Sequence, residues 1–262
     1  MILYGQRRII TEINMLLTDI IAGRKYSILF RAPSGYGKTA LATNIAYLIG
    51  IEKVAYYIAS KDFIEINRAK PLQIIDEVHL IEEPEFLYPF MDSGEYNFIL
   101  ISNLSGGMKE AFRNRCIEFI FDPYEEEDMI AIVNNFLQKY HLTRDLVERI
   151  ALRTRNNPRV AKIICERLQY IFNNHLIPKT IDELELILNN ILYIREDGLN
   201  RQDDLYLDFL RRSGICSLET LSRGTGLDKE TIQREIEPYL LYLGKIKITS
   251  RGRIINERRD VD

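Results

Sequence analysis

Over residues 1–122, short apolar runs alternate with stretches whose apolar residues recur at helical spacing. The runs are Tyr26–Arg31 (YSILFR), Lys53–Ala59 (KVAYYIA), Leu72–Ile75 (LQII), Asn97–Asn103 (NFILISN) and Ile117–Phe121 (IEFIF). They are mostly continuous in Ile, Leu, Phe and Tyr rather than alternating with polar residues. That is the pattern of strands covered on both faces. Helical spacing lies between them, as in Lys38–Ile49. The order β-α-β predicts a parallel sheet with helices on both sides, an α/β fold.

The texture changes at Asp122-Pro123. From there to about Leu192 only helical periodicity is found. Asp122 is expected to cap a helix with Pro123 at its first position, Asn157-Pro158 repeats the device, and Thr180 with Glu183 forms a capping box. From about Arg201 a helix is followed by a second after Ser217, a Gly224–Gly226 turn and a third helix opening near Asp228. Two alternating strands (KIKIT, then RII) separated by Ser250-Arg251-Gly252 close the pattern. Three helices and a hairpin make the winged form of helix-turn-helix. The expected domains are therefore residues 1–122, 123–192 and 193–262.

Composition narrows the function classes. The chain has 262 residues, 46% hydrophobic and 28% charged, which excludes disorder and fibrous repeats. Its three cysteines, Cys116, Cys165 and Cys216, have no zinc-ligand spacing and form no disulfide framework, so a reducing cytoplasmic setting is expected. The opening MILYGQRRII lacks the apolar core of a signal peptide, and no apolar run is long enough to span a membrane. With 35 Lys and Arg against 38 Asp and Glu, the net charge is −3, so any grip on nucleic acid must be local. Such a patch closes the chain, where Lys245, Lys247, Arg251, Arg253, Arg258 and Arg259 outnumber Glu257, Asp260 and Asp262. Cations on a hairpin suit contacts to phosphates of any sequence.

The strongest chemical signal is Ala32-Pro33-Ser34-Gly35-Tyr36-Gly37-Lys38-Thr39, between the first strand and its helix. Glycines let the backbone curl so that its N–H groups converge on phosphate oxygens, and the helix N-terminus adds positive potential. Lys38 is expected on the β- and γ-phosphates of ATP and the Thr39 hydroxyl on Mg²⁺. The pattern's first glycine is replaced by Ala32. Leu72-Gln73-Ile74-Ile75-Asp76-Glu77 then reads as a strand ending in two acids, Asp76 beside the metal and Glu77 polarising the attacking water. Asn103 ends the next strand, where an amide can orient that water. His79 is left without a role. Arg113-Asn114-Arg115 offers an arginine able to neutralise charge on a neighbouring subunit's nucleotide.

Together these residues resemble the AAA+ ATPases, and within them the RuvB branch-migration motors. Leu3-Tyr4-Gly5-Gln6 is similar to the box lining the adenine pocket. Asp76-Glu77-Val78-His79 and Leu87-Tyr88-Pro89-Phe90-Met91 follow in family order. The resemblance places Asn103 at sensor 1, Arg115 at the trans-acting finger with Arg113 as the alternative, and Arg159 of Asn157-Pro158-Arg159 at sensor 2. Ser217–Leu221, Asp228–Ile232, Glu237-Pro238-Tyr239-Leu240 and Ser250–Arg253 read like the RuvB winged helix. The implied fold is an AAA+ P-loop parallel-sheet domain, an all-α lid and a C-terminal winged-helix domain.

The resemblance implies a homo-hexameric ring that hydrolyses ATP at subunit interfaces. It would drive branch migration of Holliday junctions or translocation of double-stranded DNA, with Lys245, Lys247, Arg251 and Arg253 on the phosphates. One departure stands out: the stretch from His79 to Asn97 is too short for the family's hairpin that docks onto RuvA. A RuvA-like partner is therefore not carried over. The alternative reading is an AAA+ loader or adaptor that uses ATP as a switch to recruit another replication or recombination protein.

Overall fold

The structure is a computed structural model describing residues 4–63, 65–103, 107–174 and 177–256. By its internal contacts the chain divides into two compact units, residues 1–136 with 156–166, and residues 137–155 with 167–262. No helix among the described residues is long and apolar enough to cross a membrane.

The first unit is built on five strands: β1 (Ser27–Arg31), β2 (Val54–Ile58), β3 (Leu72–Asp76), β4 (Asn97–Ser102) and β5 (Ile117–Ile120). All neighbours pair in parallel, in the order β2-β3-β4-β1-β5. Side chains of successive residues leave a strand on opposite faces. Ile28, Phe30, Ile74, Ile99 and Ile101 join one core with Ile9, Ile13 and Leu17 of α1 (Arg7–Ile21) and Leu41 and Ile45 of α2 (Lys38–Ile49). Leu29, Ile75, Phe98 and Leu100 join the other, with Val78, Leu87, Tyr96 and Phe112. Both faces are covered, which is why the strands lack polar alternation. Residues 80–96 hold short helical turns, Pro84–Leu87 and α3 (Tyr88–Asp92), with no hairpin. α4 (Glu110–Arg113) precedes β5.

α5 (Glu126–Leu137) opens later than the Asp122-Pro123 expectation. Residues 122–125 stay non-helical because tertiary contacts hold them. The Asp122 backbone exchanges two hydrogen bonds with the Gln6 amide, at 2.6 and 3.2 Å, and the buried Tyr124 sends its hydroxyl to the Tyr36 carbonyl at 3.2 Å. The other caps form as expected. Asn157 Oδ1 accepts from the backbone N–H of Arg159 at 2.9 Å at the head of α7 (Pro158–Asn174). Thr180 and Glu183 close a capping box on α8 (Ile181–Leu186).

In the second unit, α6 (Arg144–Ala151) leads into the fully buried Arg153, whose guanidinium meets both Glu185 oxygens at 2.6 and 2.7 Å. The adjacent Arg155 pairs with the buried Asp203 and lies over the Tyr239 ring at 4.6 Å. The winged helix consists of α9 (Arg201–Ser213), α10 (Leu218–Thr225), and α11 (Lys229–Thr231) running through a π turn into α12 (Glu237–Tyr242). The π turn sits just before Pro238, whose ring cannot accept an ordinary helical neighbour at i−4. The hairpin is β6 (Ile246–Thr249) and β7 (Gly252–Ile255), antiparallel, with Cys216 bridging to Arg253. Gly252 has φ 134, and a Cβ there would run into the Cys216 carbonyl. Tyr206, Leu207, Leu210, Leu221, Ile232, Ile236, Leu240 and Ile246 form its core.

Candidate nucleotide site

The strand order decides what can meet. β4 lies between β1 and β3, so the turns after β1, β4 and β3 line up along one sheet edge. Adjacent strands are about 4.8 Å apart, which puts the ends of β1 and β3 roughly 10 Å from each other. The phosphate-type loop follows β1, Asn103 follows β4, and Asp76-Glu77 end β3.

In the loop, Gly35 and Gly37 have φ 88 and 86, the left-handed region open to glycine. A Cβ on Gly35 would collide with Asn157, and one on Gly37 with the Tyr124 hydroxyl. Lys38 is buried at the start of α2, and its ammonium donates to the carbonyls of Ala32 at 2.7 Å and Pro33 at 2.9 Å. Burial lowers its pKa from 10.5 to about 8, with Glu77 and Asp76 opposing the fall. An ammonium curled onto its own loop, and disfavoured there by burial, is suited to exchange those carbonyls for phosphate oxygens. The Thr39 hydroxyl donates to Asp76 Oδ2 at 2.8 Å. Thr39 and Asp76 thus offer one hydroxyl and one carboxylate, a donor set that suits Mg²⁺ shared with phosphates rather than a protein cage. Among the described residues no cluster of three His, Cys, Asp or Glu side chains could hold a metal alone.

Glu77 adopts φ 57 and ψ 35, rare for a residue with a side chain. Its Oε2 lies 3.3 Å from His79 Nε2. Asn103 Nδ2 lies 2.9 Å from that same nitrogen, so the acid, the amide and a histidine without a sequence-derived role converge. Tyr56 of β2 was also missed: its hydroxyl donates to Asp76 Oδ2 at 2.9 Å, and burial raises its pKa. A tyrosine in an apolar strand carries no sequence signal for that contact, whereas His79 follows the paired acids closely enough to have been suspected.

Arg159 reaches the loop from α7, donating to Ser34 Oγ at 2.6 Å, while the Asn157 amide donates to the Ser34 carbonyl at 3.0 Å. The Tyr4-Gly5-Gln6 segment is fastened beside this edge by the Gln6–Asp122 bonds, and a Cβ on Gly5 would meet Tyr124 and Asp128. Leu3 of that box lies outside the described residues.

Arg113 and Arg115 lie elsewhere. β5 pairs Ile117 with Ile28, so Arg115 is level with the beginning of β1, while the phosphate-type loop starts after its end. At about 3.3 Å per residue the separation is roughly 15 Å. Arg115 is held by Asp92 at 3.1 Å and lies 4.2 Å over the Tyr88 ring, and Arg113 pairs with Glu118 at 2.7 Å. Neither serves its own chain's loop.

The wing corrects part of the expected DNA set. Lys247 and Arg251 are exposed on the hairpin. Arg253 instead faces inward, its Nε 2.7 Å from Oε1 of the buried Glu237, and Lys245 pairs with Asp197 at 3.1 Å. A guanidinium spent on a buried acid is not presented to phosphates. Arg258 and Arg259 lie outside the described residues.

Residues 196–258 match the RuvB C-terminal winged helix domain family. The chain is 28% identical over 293 aligned residues to the Holliday junction branch migration complex subunit RuvB of Ehrlichia chaffeensis, covering 97% of this chain and 88% of that protein. It is 28% identical to the protein of the same name from Mycoplasmopsis synoviae, covering 97% and 92%. Among solved structures it resembles the Thermotoga maritima RuvB Holliday junction branch migration motor, with a TM-score of 0.78 at 24% identity, over 97% of this chain and 93% of that one. That likeness concerns the fold, a parallel sheet with helices. With the winged-helix match and the end-to-end relatives, it makes the chain a RuvB-like AAA+ protein.

Proposed function

We propose that this protein is an ATP-dependent DNA motor of the RuvB type, hydrolysing ATP at subunit interfaces of a homo-hexameric ring to drive Holliday-junction branch migration or duplex translocation. The observation that carries this reading is the single sheet edge where the Lys38 loop, Asp76-Glu77 and Asn103 meet beneath Arg159, in a chain that ends in a RuvB-family winged helix. Residues 1–122 act as the ATPase core, 123–192 as the helical lid and 193–262 as the DNA-binding winged helix.

We assign each residue a part that its position supports. Tyr4, Gly5 and Gln6 line the base pocket. The Ser34–Gly37 backbone cradles the phosphates, and Lys38 and Arg159 neutralise their charge. Thr39 and Asp76 would hold Mg²⁺, which would supply positive charge to screen the phosphate oxygens. Glu77 takes the proton of the attacking water as the terminal phosphorus–oxygen bond breaks, and Asn103 orients that water. Arg115, too far from its own loop, acts on the neighbouring subunit's phosphates, with Arg113 as the alternative. Lys247 and Arg251 hold the DNA backbone without reading sequence.

The experiment is ATP turnover and strand exchange on a four-way junction. ATP-fuelled conversion of the junction into two duplexes supports the motor, and absence of turnover overturns it. The helical turns at residues 80–96, where the family's RuvA-docking hairpin is expected, favour one second reading. In that reading the chain is a loader that recruits a partner in response to ATP. Turnover without movement of the arms selects the loader.

A further inference from the structure

His79 lies two residues beyond Glu77, in the short helical turn Val78–Leu80 that follows β3. Its side chain is only 8% exposed, while that of Glu77 is 47% exposed. Two groups that follow different strands lie near its Nε2: Glu77 Oε2 at 3.3 Å and Asn103 Nδ2 at 2.9 Å. One ring nitrogen cannot satisfy both in the same state. Carrying a hydrogen, it donates to the carboxylate; bare, it accepts from the amide. The amide and the carboxylate therefore compete for one atom.

The surroundings make that competition consequential. The Glu77 backbone is held in the left-handed region, and its N–H donates to Asp76 Oδ1 at 2.9 Å, so side-chain rotation is the freedom left to its carboxylate. Asn103 sits at the end of β4, between the phosphate-type loop and β3, where a terminal phosphate would compete for its N–H groups.

We propose that His79 is a positioning residue that passes the state of Asn103 to Glu77. While Asn103 donates to Nε2, the imidazole has no hydrogen to offer the carboxylate at that atom. When Asn103 turns its amide to a terminal phosphate, Nε2 is released. It takes a proton from water as Nδ1 returns one to water, and the neutral ring in its new tautomer donates to Glu77, fixing the carboxylate for its water. The base is then aligned only when the phosphate to be cleaved is present. The proposal rests on the nucleotide reading above and adds a residue to it.

The test uses the full chain with duplex DNA, measuring steady-state ATP hydrolysis, binding of a fluorescent ATP analogue and the melting temperature. His79→Phe keeps a buried ring without nitrogen; kcat should fall about tenfold while KM and nucleotide binding move less than about twofold. His79→Gln, whose amide reaches the place of Nε2, should recover to within about threefold of wild type. Asn103→Ala removes the competing amide and leaves Nε2 to Glu77, so adding His79→Phe in that background should still cost about tenfold. Should His79→Phe melt early, His79→Leu replaces it in the cycle. Wild-type kcat in His79→Phe, no further loss from His79→Phe in the Asn103→Ala background, or a His79→Gln as slow as His79→Phe would each overturn the proposal. A wild-type chain without ATP turnover overturns the nucleotide reading itself.

Discussion

Replacing Arg253 with alanine should cost the winged helix stability rather than DNA affinity. Glu237 is 3% exposed, and its carboxylate receives Arg253 Nε at 2.7 Å, Arg253 Nη2 at 3.2 Å and the Tyr206 hydroxyl at 3.1 Å. The truncation leaves that carboxylate with one neutral donor. Breaking a buried pair from one side costs about 3–5 kcal/mol, because the remaining charge stays in a poorly solvated place. The Arg253 side chain is 16% exposed, so water can enter beside Glu237, and the lower end, about 3 kcal/mol, is expected. In a domain of this size that lowers the melting temperature by roughly 12–24 °C. The double variant Glu237→Met with Arg253→Met, which removes both charges and keeps volume, should regain most of the loss. Thermal unfolding followed by circular dichroism reads this, and duplex-DNA anisotropy across a salt series reads affinity below the melting range. Arg253→Ala should keep the wild-type salt slope. Lys247→Ala with Arg251→Ala should melt normally and reduce the slope by about two. An Arg253→Ala protein that melts with wild type yet loses affinity and slope would refute the inward assignment.

Three further outcomes follow from the nucleotide reading. Glu77→Gln should bind ATP as wild type does and lose turnover by about a hundredfold or more, read by phosphate release; undiminished turnover removes Glu77 as the base. Arg115→Ala should bind nucleotide normally and lose roughly a thousandfold in turnover. Mixing it with Glu77→Gln subunits should restore activity wherever an intact base meets an intact finger, and a mixture as dead as its parts refutes the trans assignment. Lys38, with its pKa lowered to about 8, should make the nucleotide-free protein gain stability as pH rises from 8 to 10.5. There the unfolded chain keeps a proton that the native one has released, a slope of up to about 1.4 kcal/mol per pH unit, while below pH 8 both hold it and no slope arises. Lys38→Met should lose that slope in urea titrations, and an unchanged slope refutes the burial effect.

The two-faced sheet was legible because burial leaves a mark on every residue it touches. β1, β3 and β4 are mostly apolar and buried almost along their whole length, and beyond or at their ends come Lys38 and Thr39, Asp76 and Glu77, and Asn103. The spatial order of strands leaves no such mark: it is set by which crossovers pack, and it decides that these ends share one edge. The missed start of α5 has the same origin. Asp122-Pro123 is a sound local signal, but Tyr124 is worth more between Gly5, Gly37 and the Tyr36 carbonyl than in a first helical turn, and tertiary contact overrides propensity.

The site was legible where chemistry demands a residue type and opaque where it demands only a neighbour. A phosphate cradle needs glycines and a lysine in fixed spacing, so sequence declares it. Holding an acid in place needs only some donor within reach, and many residues qualify; Tyr56 comes from β2, whose approach to Asp76 the topology alone sets, whereas His79 meets Glu77 through a local turn. Arg253 shows the converse. On a hairpin rich in cations it looked like a phosphate contact, yet strand alternation sends its side chain to Glu237, the residue before the helix-disturbing Pro238. A cation's sign can be read from sequence, whereas its partner is chosen by packing. In this wing Arg253 gives its charge to Glu237, while Lys247 and Arg251 stay exposed on the hairpin.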